Sequence, residues 1–407
     1  MNVASPPVAD ATLKVRGSNH EGMRQFNERI VLQAIRLHGA LPKAELARLT
    51  QLSKQTVSII VERLLEDGLL QKQDRIRGGI GQPSVPLALN PAGAYSVGVQ
   101  VGRRSLEVLV ADFVGQIVQH HVFHYEHPDP DHVLPLVAEA LATLRTEMDD
   151  AWPRVVGVGL AAPLGMHQWA DVMGEQAGEA LARWQGVDLQ AAVQTMTDLP
   201  VVFARDTVAA CTAELLLGHG QQLHSYLYIY VGTFVGGGLV LQGRLLTGGR
   251  GNAGAIGSMP LSLAQGQGAA QLLEVASGWQ LERALQQAGL DPQRVMRDDI
   301  TGAALAPWTQ PWLAKAADAL AMTATTATAL LDLDAVVLDG SLAPALLQAL
   351  IDQTQTALQH YRQAGIRPPV LVQGAMGVHA RALGGALLPL HTQFFPDKDI
   401  FLKQDLP

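Results

Sequence analysis

The sequence predicts a small helical head closed by a β-hairpin and joined to a larger α/β body. Three observations carry this. Apolar residues recur at helical spacing in three stretches between Met23 and Asp67; two short apolar runs then flank the glycine-bearing stretch Arg75–Pro83. From Tyr95 onward, strand-like runs alternate with long alanine-rich helical ones, the pattern of an α/β layer structure. The chain has 407 residues, 48% of them apolar and 16% charged, so it can bury a sizeable core and is not a disordered polymer.

In chain order, residues 1–22 are rich in small and polar types without a period and are expected to form a loose arm. Phe26, Ile30, Val31, Ala34 and Ile35 make one face of a first helix that ends at Gly39. A short helix is expected from about Pro42 to Thr50. Ser53 is placed to cap a third, from Lys54 to about Asp67, whose inner face is Val57, Ile60, Val61 and Leu64. Gly68 stands where a left-handed helix end is expected. Leu69–Gln73 and Ser84–Leu89 read as the strands of the hairpin. Three helices and a hairpin make a winged helix-turn-helix, residues 23–90, and Asn90-Pro91-Ala92-Gly93 is a natural boundary to the body, 91–407. The body's expected strands include Ser96–Val101, Leu106–Asp112, Ile117–Phe123, Val155–Leu160, Val201–Ala204, Tyr226–Val231, Gly238–Leu241 and Ala335–Leu338. Its expected helices include His132–Met148, Val208–Leu217, Leu272–Gln287, Trp312–Leu331, Pro344–Tyr361 and His379–Leu388.

Composition narrows the function. The net charge of −8 divides into +4 over residues 1–90 and −12 over the remainder, as suits a protein that touches an anionic polymer with one end. Apolar runs such as Val235–Leu241 stop well short of the roughly 20 residues needed to span a bilayer, and the first residues lack a secretory layout, so a soluble cytoplasmic protein is expected. A single cysteine, Cys211, excludes an internal disulfide and a multi-cysteine zinc site. The thirteen histidines form no metal-binding helical spacing, and His120, His121 and His124 read as a surface cluster; no metal and no cofactor are expected.

The third helix is the candidate DNA reader. Its first turns carry Lys54, Gln55, Thr56 and Ser58 with no carboxylate before Glu62. Gln suits adenine, Lys suits guanine or phosphate, and Thr can touch a thymine methyl. Lys43 on the preceding helix is placed for the backbone. Arg75, Arg77 and Gln82 sit in the glycine-bearing wing, where an arginine can enter a narrow minor groove. In the body, Val231-Gly232-Thr233-Phe234-Val235-Gly236-Gly237-Gly238 can either present backbone N–H groups to a phosphate or form close-packed turns.

Those residues resemble the ROK family of repressors and sugar kinases over about residues 20–390. Gly232–Gly238, Gly243 and Thr247–Ser258 are similar to the family signature. Ala162-Pro163-Leu164-Gly165, Glu274-Val275-Ala276-Ser277, Asp339-Gly340-Ser341 and Gly374–Gly385 are further matches. The resemblance implies a two-lobed actin/hexokinase-like (ribonuclease H-like) sugar-kinase body behind the winged helix-turn-helix. It also implies site residues. Asp206 matches the kinases' catalytic base, and Glu274 a sugar-contacting glutamate. Arg205 replaces an Asn, and Ser258 a His that in the family also holds zinc. Where the kinases have D-x-G-x-T, this chain has Gln100-Val101-Gly102-Arg103-Arg104, and Gln cannot hold the metal–phosphate.

The reading is a DNA-binding regulator of carbohydrate genes, with no catalytic residue. It acts as a homodimer or dimer of dimers on a double-stranded operator, controlled by a small carbohydrate-like effector at Arg205, Asp206, Ser258 and Glu274. The alternative is an ATP-dependent sugar kinase with an appended DNA-binding head, and a third is a body used only for dimerisation.

Overall fold

A computed structural model describes residues 20–74, 85–163, 165–169, 175–262 and 269–396. The chain divides into two compact units. One runs to Gly93 and takes in the residues from Gln393 onward; the other is Ala94–Thr392. Among the described residues, no helix is long and apolar enough to cross a membrane.

The first unit holds α1 (His20–His38), α2 (Lys43–Thr50), α3 (Lys54–Glu66), β1 (Leu70–Lys72) and β2 (Leu87–Leu89). α1 starts at His20, inside the stretch expected to be a loose arm, because the helix carries on through Gly22 into the sequence before its apolar face begins. Val31, Leu32 and Ile35 of α1, Leu46 of α2, and Val57, Ile60, Val61 and Leu64 of α3 are all buried and form the core. The Ser53 hydroxyl accepts the Thr56 N–H at 3.1 Å and caps α3. Gly68 has φ +72°, where a side chain would strain the backbone that turns α3 into the hairpin. β1 and β2 pair antiparallel with Leu70 opposite Leu89, and Leu41 bridges Leu87, so the hairpin closes the helical core. Phe395 belongs to this unit: Arg29 donates to its carbonyl at 3.2 Å and the Arg36 guanidinium lies 3.9 Å over its ring.

The second unit is built from two five-stranded sheets of the same topology. β3 (Tyr95–Val101), β4 (Ser105–Asp112) and β5 (Ile117–His124) run antiparallel. α4 (Pro130–Met148) leads to β6 (Val155–Ala162), parallel to β3. α5 (Glu175–Ala182) and α6 (Leu189–Gln194) lead to β7 (Val201–Arg205), giving the order β5-β4-β3-β6-β7. α7 (Asp206–Leu217) crosses to the second sheet. There β8 (Tyr226–Val231), β9 (Val235–Leu241) and β10 (Arg244–Leu246) again run antiparallel. α8 (Leu272–Ala276), α9 (Gly278–Gln287) and α10 (Ala306–Leu331) precede β11 (Ala335–Gly340), and α11 (Pro344–Ala357) precedes β12 (Leu371–Gln373). β8, β11 and β12 are parallel neighbours, so the second order is β10-β9-β8-β11-β12. α12 (Ala380–Phe394) returns to the first sheet.

Two helices meet between the sheets. A Cβ on Gly98 would lie 2.1 Å from the Ala382 carbonyl oxygen, and one on Gly159 would lie 1.8 Å from that of Gly385. α12 therefore rests directly on β3 and β6, backbone against backbone. α7 rests on β9 through side chains instead, with Gly238 facing Cys211 and Gly236 facing Thr207. Each sheet buries its other face in its own apolar core, Val99, Leu106, Leu141 and Leu160 in the first, Leu227, Leu281, Leu320 and Leu338 in the second.

The expected helix Leu272–Gln287 is two helices. Ser277 between them is fully buried and extended; its hydroxyl accepts the Val235 N–H at 3.0 Å and its carbonyl accepts the Trp312 indole N–H at 3.0 Å. These tertiary partners outweigh one more turn of helix. The expected strand Gly238–Leu241 begins earlier, at Val235.

Candidate functional site: a helical reading face and an arginine-lined cleft

On the first unit, Lys54, Gln55 and Ile59 are exposed on α3, and Thr56 and Ser58 are half-buried. Thr56 is drawn into the cap, its hydroxyl 2.8 Å from that of Ser53. Lys43 does not stand alone: its ammonium donates to the Ser58 hydroxyl at 2.9 Å and to Glu62 at 3.3 Å, tying α2 to α3 and neutralising the carboxylate nearest the reading face. Ile59, 62% exposed, was not singled out from sequence; an isoleucine outside the buried stripe of α3 is an apolar contact suited to a thymine methyl. Arg75, Arg77 and Gln82 lie outside the described residues.

On the second unit, the turn β3–β4, the junction β7–α7, the turn β8–β9, the segment Asn252–Ser258, Ser341 after β11 and the start of α12 line one cleft of about 370 Å³. Asp206 is the first residue of α7. Its Oδ1 accepts the Thr207 N–H at 2.8 Å, and its Oδ2 is 3.7 Å from the Arg381 guanidinium. It therefore serves the helix terminus and faces the cleft at once. Arg205 donates through Nη2 to the Ala253 carbonyl, which ties the β7 end to the glycine-rich segment. Burial lowers its pKa, against the opposing pull of Asp206. Ser258 also lines the cleft. Glu274 does not: its carboxylate accepts the Gln271 N–H at 2.7 Å and completes the cap of α8, so it holds that helix end.

Among the lining groups that the sequence reading does not pick out are Arg103, Arg104, Thr233 and Arg381. Arg103 lies 4.9 Å over the Phe234 ring, and burial pushes its pKa down to about 9. Arg104 pairs with the buried Glu282 at 3.1 Å. Gly102-Arg103-Arg104 stands where the kinases have the end of D-x-G-x-T, and its local signal is two consecutive arginines at a strand end. Arg381 gave no such signal.

Gln100 stands at the end of β3, fully buried, with its amide nitrogen and oxygen both without a partner among the described residues. A buried neutral amide supplies no charge for a phosphate-bound divalent ion. The glycine run is also settled by packing. Gly236, Gly237 and Gly238 are strand residues paired with Tyr230, Ile229 and Tyr228. Cβ atoms there would meet Thr207 Cγ2 at 2.7 Å, the Tyr228 carbonyl oxygen at 2.6 Å and Cys211 Cβ at 2.5 Å. These glycines make room for α7 and for the neighbouring strand.

One trio of ligand-type side chains comes together among the described residues. His120 Nε2 and His379 Nδ1 lie 2.9 and 2.6 Å from Glu107 Oε1, distances of hydrogen bonds to a carboxylate oxygen that can accept two.

A helix-turn-helix unit and a body with two sheets of one topology and a cleft at their strand ends are the winged helix-turn-helix and sugar-kinase-like architecture that the resemblance implied. Residues 96–391 match the ROK family model, and the chain belongs to that family. Residues 25–79 match a MarR family model. The chain is 23% identical over 239 residues to a protein named xylose repressor from Bacillus subtilis, 59% of this chain and 61% of that one. It thus spans about three fifths of the length of that curated relative. A crystal structure described as a ROK family transcriptional regulator, homolog of the E. coli MLC protein, superposes with TM-score 0.68 at 20% identity, covering 92% of this chain and 98% of that one. A ROK hexokinase from Thermus thermophilus superposes with TM-score 0.52 at 28% identity, covering 72% and 97%.

Proposed function

We propose that this chain is a sequence-specific DNA-binding transcriptional repressor whose body binds a small carbohydrate-like effector and forms a homodimer. One observation carries the reading: a helix with Lys54, Gln55 and Ile59 outward is joined to a kinase-like body whose metal–phosphate position is the buried, uncharged Gln100. Asp206 keeps the position of a base, yet a base without a held metal–phosphate does not transfer a phosphoryl group. In a binding protein the same carboxylate accepts hydrogen bonds from sugar hydroxyls. A single head makes too few contacts for a specific site, so a two-fold pair of heads on a palindromic operator, half-sites one or more turns apart, follows. Arg75, Arg77 and Gln82 are assigned to the wing contact, and residues 23–90 to the DNA-binding domain. Relief of repression by the sugar is the sign the reading takes.

The test is selection of bound duplexes from a random DNA pool by the full chain, followed by titration with sugars. The expected result is a palindrome bound at nanomolar concentration, weakened by Gln55→Ala at particular base pairs by about 1–3 kcal/mol, and released by a sugar. A pool that never enriches ends the reading. ADP release with a hexose, ATP and magnesium at about 1 per second, the low end of ordinary enzymes, would make the protein a kinase instead.

A further inference from the structure

The cleft carries more positive charge than its own carboxylates compensate. Among the described residues, four guanidinium groups line it, those of Arg103, Arg104, Arg205 and Arg381, against one lining carboxylate, Asp206. Arg104 is matched by Glu282 at 3.1 Å and Arg381 by Asp206 at 3.7 Å. Arg103 and Arg205 have no carboxylate within ion-pair distance among the described residues. The excess is local, because residues 91–407 as a whole carry a net charge of −12.

The hydrogen-bond inventory points the same way. Nε and Nη1 of Arg103, Nε of Arg205 and Nε of Arg381 are buried N–H donors without a partner among the described residues. Buried donors on charged groups are costly to leave unmade, so in a native site such groups call for an acceptor, which the described residues do not supply. Phe234 supports the Arg103 fork from one side at 4.9 Å, and Ala253 anchors one arm of Arg205. A planar guanidinium held in this way matches a carboxylate or phosphate oxygen pair. Around the arginines, Thr233, Asn252, Ser258 and Ser341 offer the neutral donors and acceptors that ring hydroxyls need.

We infer that the effector is an anionic carbohydrate, a sugar bearing a phosphate ester or a carboxylate, with its charge held by Arg103 and Arg205 and its hydroxyls by Asp206 and the neighbouring polar side chains. This rests on the cleft being the effector site of the repressor proposed above.

The test is calorimetry on the full chain with matched pairs: glucose with glucose 6-phosphate, xylose with xylose 5-phosphate, glucose with glucuronate, and inorganic phosphate alone. At least one charged sugar is expected to bind ten times or more tightly than its neutral parent, with the advantage shrinking as salt is raised. Whether the phosphate or the carboxylate arm wins identifies the anion. Arg103→Gln and Arg205→Gln are expected to erase most of that advantage and Arg205→Lys to retain part of it, with thermal unfolding confirming that each variant folds. Neutral parents binding as tightly as their charged partners would overturn the inference and leave the sugar-responsive repressor standing. Phosphate alone binding as tightly as a sugar phosphate would overturn the carbohydrate part. If no sugar, charged or neutral, bound the protein or released the operator, effector and inference would fall together.

Discussion

The two sheets of the body share one topology and differ in what their equivalent turns carry. In the first, the β3–β4 turn is Gly102-Arg103-Arg104, fixed from behind by the Tyr125 hydroxyl, whose single O–H lies between two acceptors, the carbonyls of Gly102 at 2.6 Å and Ser105 at 2.9 Å. In the second, the β8–β9 turn is Gly232-Thr233-Phe234. It is fixed by the start of α9, where the N–H groups of Gly278 and Trp279 donate to the carbonyls of Gly232 and Thr233, each at 2.9 Å. The second turn uses its backbone to hold a helix and offers the cleft one hydroxyl and one aromatic face. The first turn is held by its own Gly102 N–H, which donates to the Ser105 carbonyl at 2.9 Å, and by Tyr125, whose N–H donates to the Arg104 carbonyl at 3.0 Å, and it presents two guanidinium groups. A duplicated scaffold thus supplies two positions facing one cleft, and side-chain choice alone makes one a charge site and the other a wall.

The largest effect expected from breaking this arrangement is mechanical. α12 touches the first sheet through backbone, whereas α7 touches the second through the side chains of Thr207 and Cys211. Gly159→Ala sets a methyl against a carbonyl oxygen that cannot move without displacing α12, and should cost about 3 kcal/mol or more, where overpacked cores usually lose about 1–3 kcal/mol. Gly236→Ala meets a side-chain methyl and should cost nearer 1 kcal/mol on the same scale. Denaturant unfolding of both variants measures the contrast, and equal costs would mean that the two helices are equally tight.

Next comes the chemistry of the cleft. Asp206→Asn removes a charged acceptor and should weaken the tightest-binding sugar by about 1.5–3 kcal/mol, some ten- to hundredfold. Thr233→Ala, on the second turn, removes a neutral hydroxyl and should cost about 0.5–1.5 kcal/mol. Calorimetry decides; unchanged affinity in the Asp206 variant would move the effector away from this end of α7.

The smallest expected effect concerns pH and again sets the sheets against each other. Asp112 at the end of β4 and Asp339 near the end of β11 both have pKa values raised chiefly by burial. Asp112 accepts the N–H groups of Val114 and Gln116, and Asp339 those of Gly340 and Gly377 together with the Tyr228 hydroxyl. A carboxyl whose folded pKa lies above its unfolded value of about 3.9 holds its proton more tightly when folded. Its contribution to stability therefore grows as pH falls through the folded pKa and is complete below the unfolded one. Asp339→Asn should flatten the acid limb of the stability–pH curve, and Asp112→Asn should do so less, because Asp112 is the more exposed of the two. Acid titrations of thermal stability for the three proteins show whether that order holds.

Much of this was present in local sequence. The stripe Val57, Ile60, Val61 and Leu64 predicted both the reading helix and its buried side, since a period of 3.6 residues leaves no other face for the core. Ser53 announced where that helix starts, Gly68 where it ends, and Gln100 and Asp206 were in view as a lost and a kept position of one motif set. What local sequence could not decide was convergence. Arg103 and Arg381 line one cleft only through the tertiary fold, which brings the β3–β4 turn and the start of α12 to the same place. Glu274 matched a ligand-contact pattern, yet the turn before α8 claimed its carboxylate for a cap. The glycines of β9 carried the same letters a phosphate loop would, and only the approach of Thr207 and Cys211 showed that they make room for a helix. Periodicity and capping are set by neighbours within a few residues, so the sequence determined the elements and the reading face. Charge excess, close approach and the identity of a lining residue depend on which distant groups are brought within a few ångströms, and that was decided by the tertiary structure.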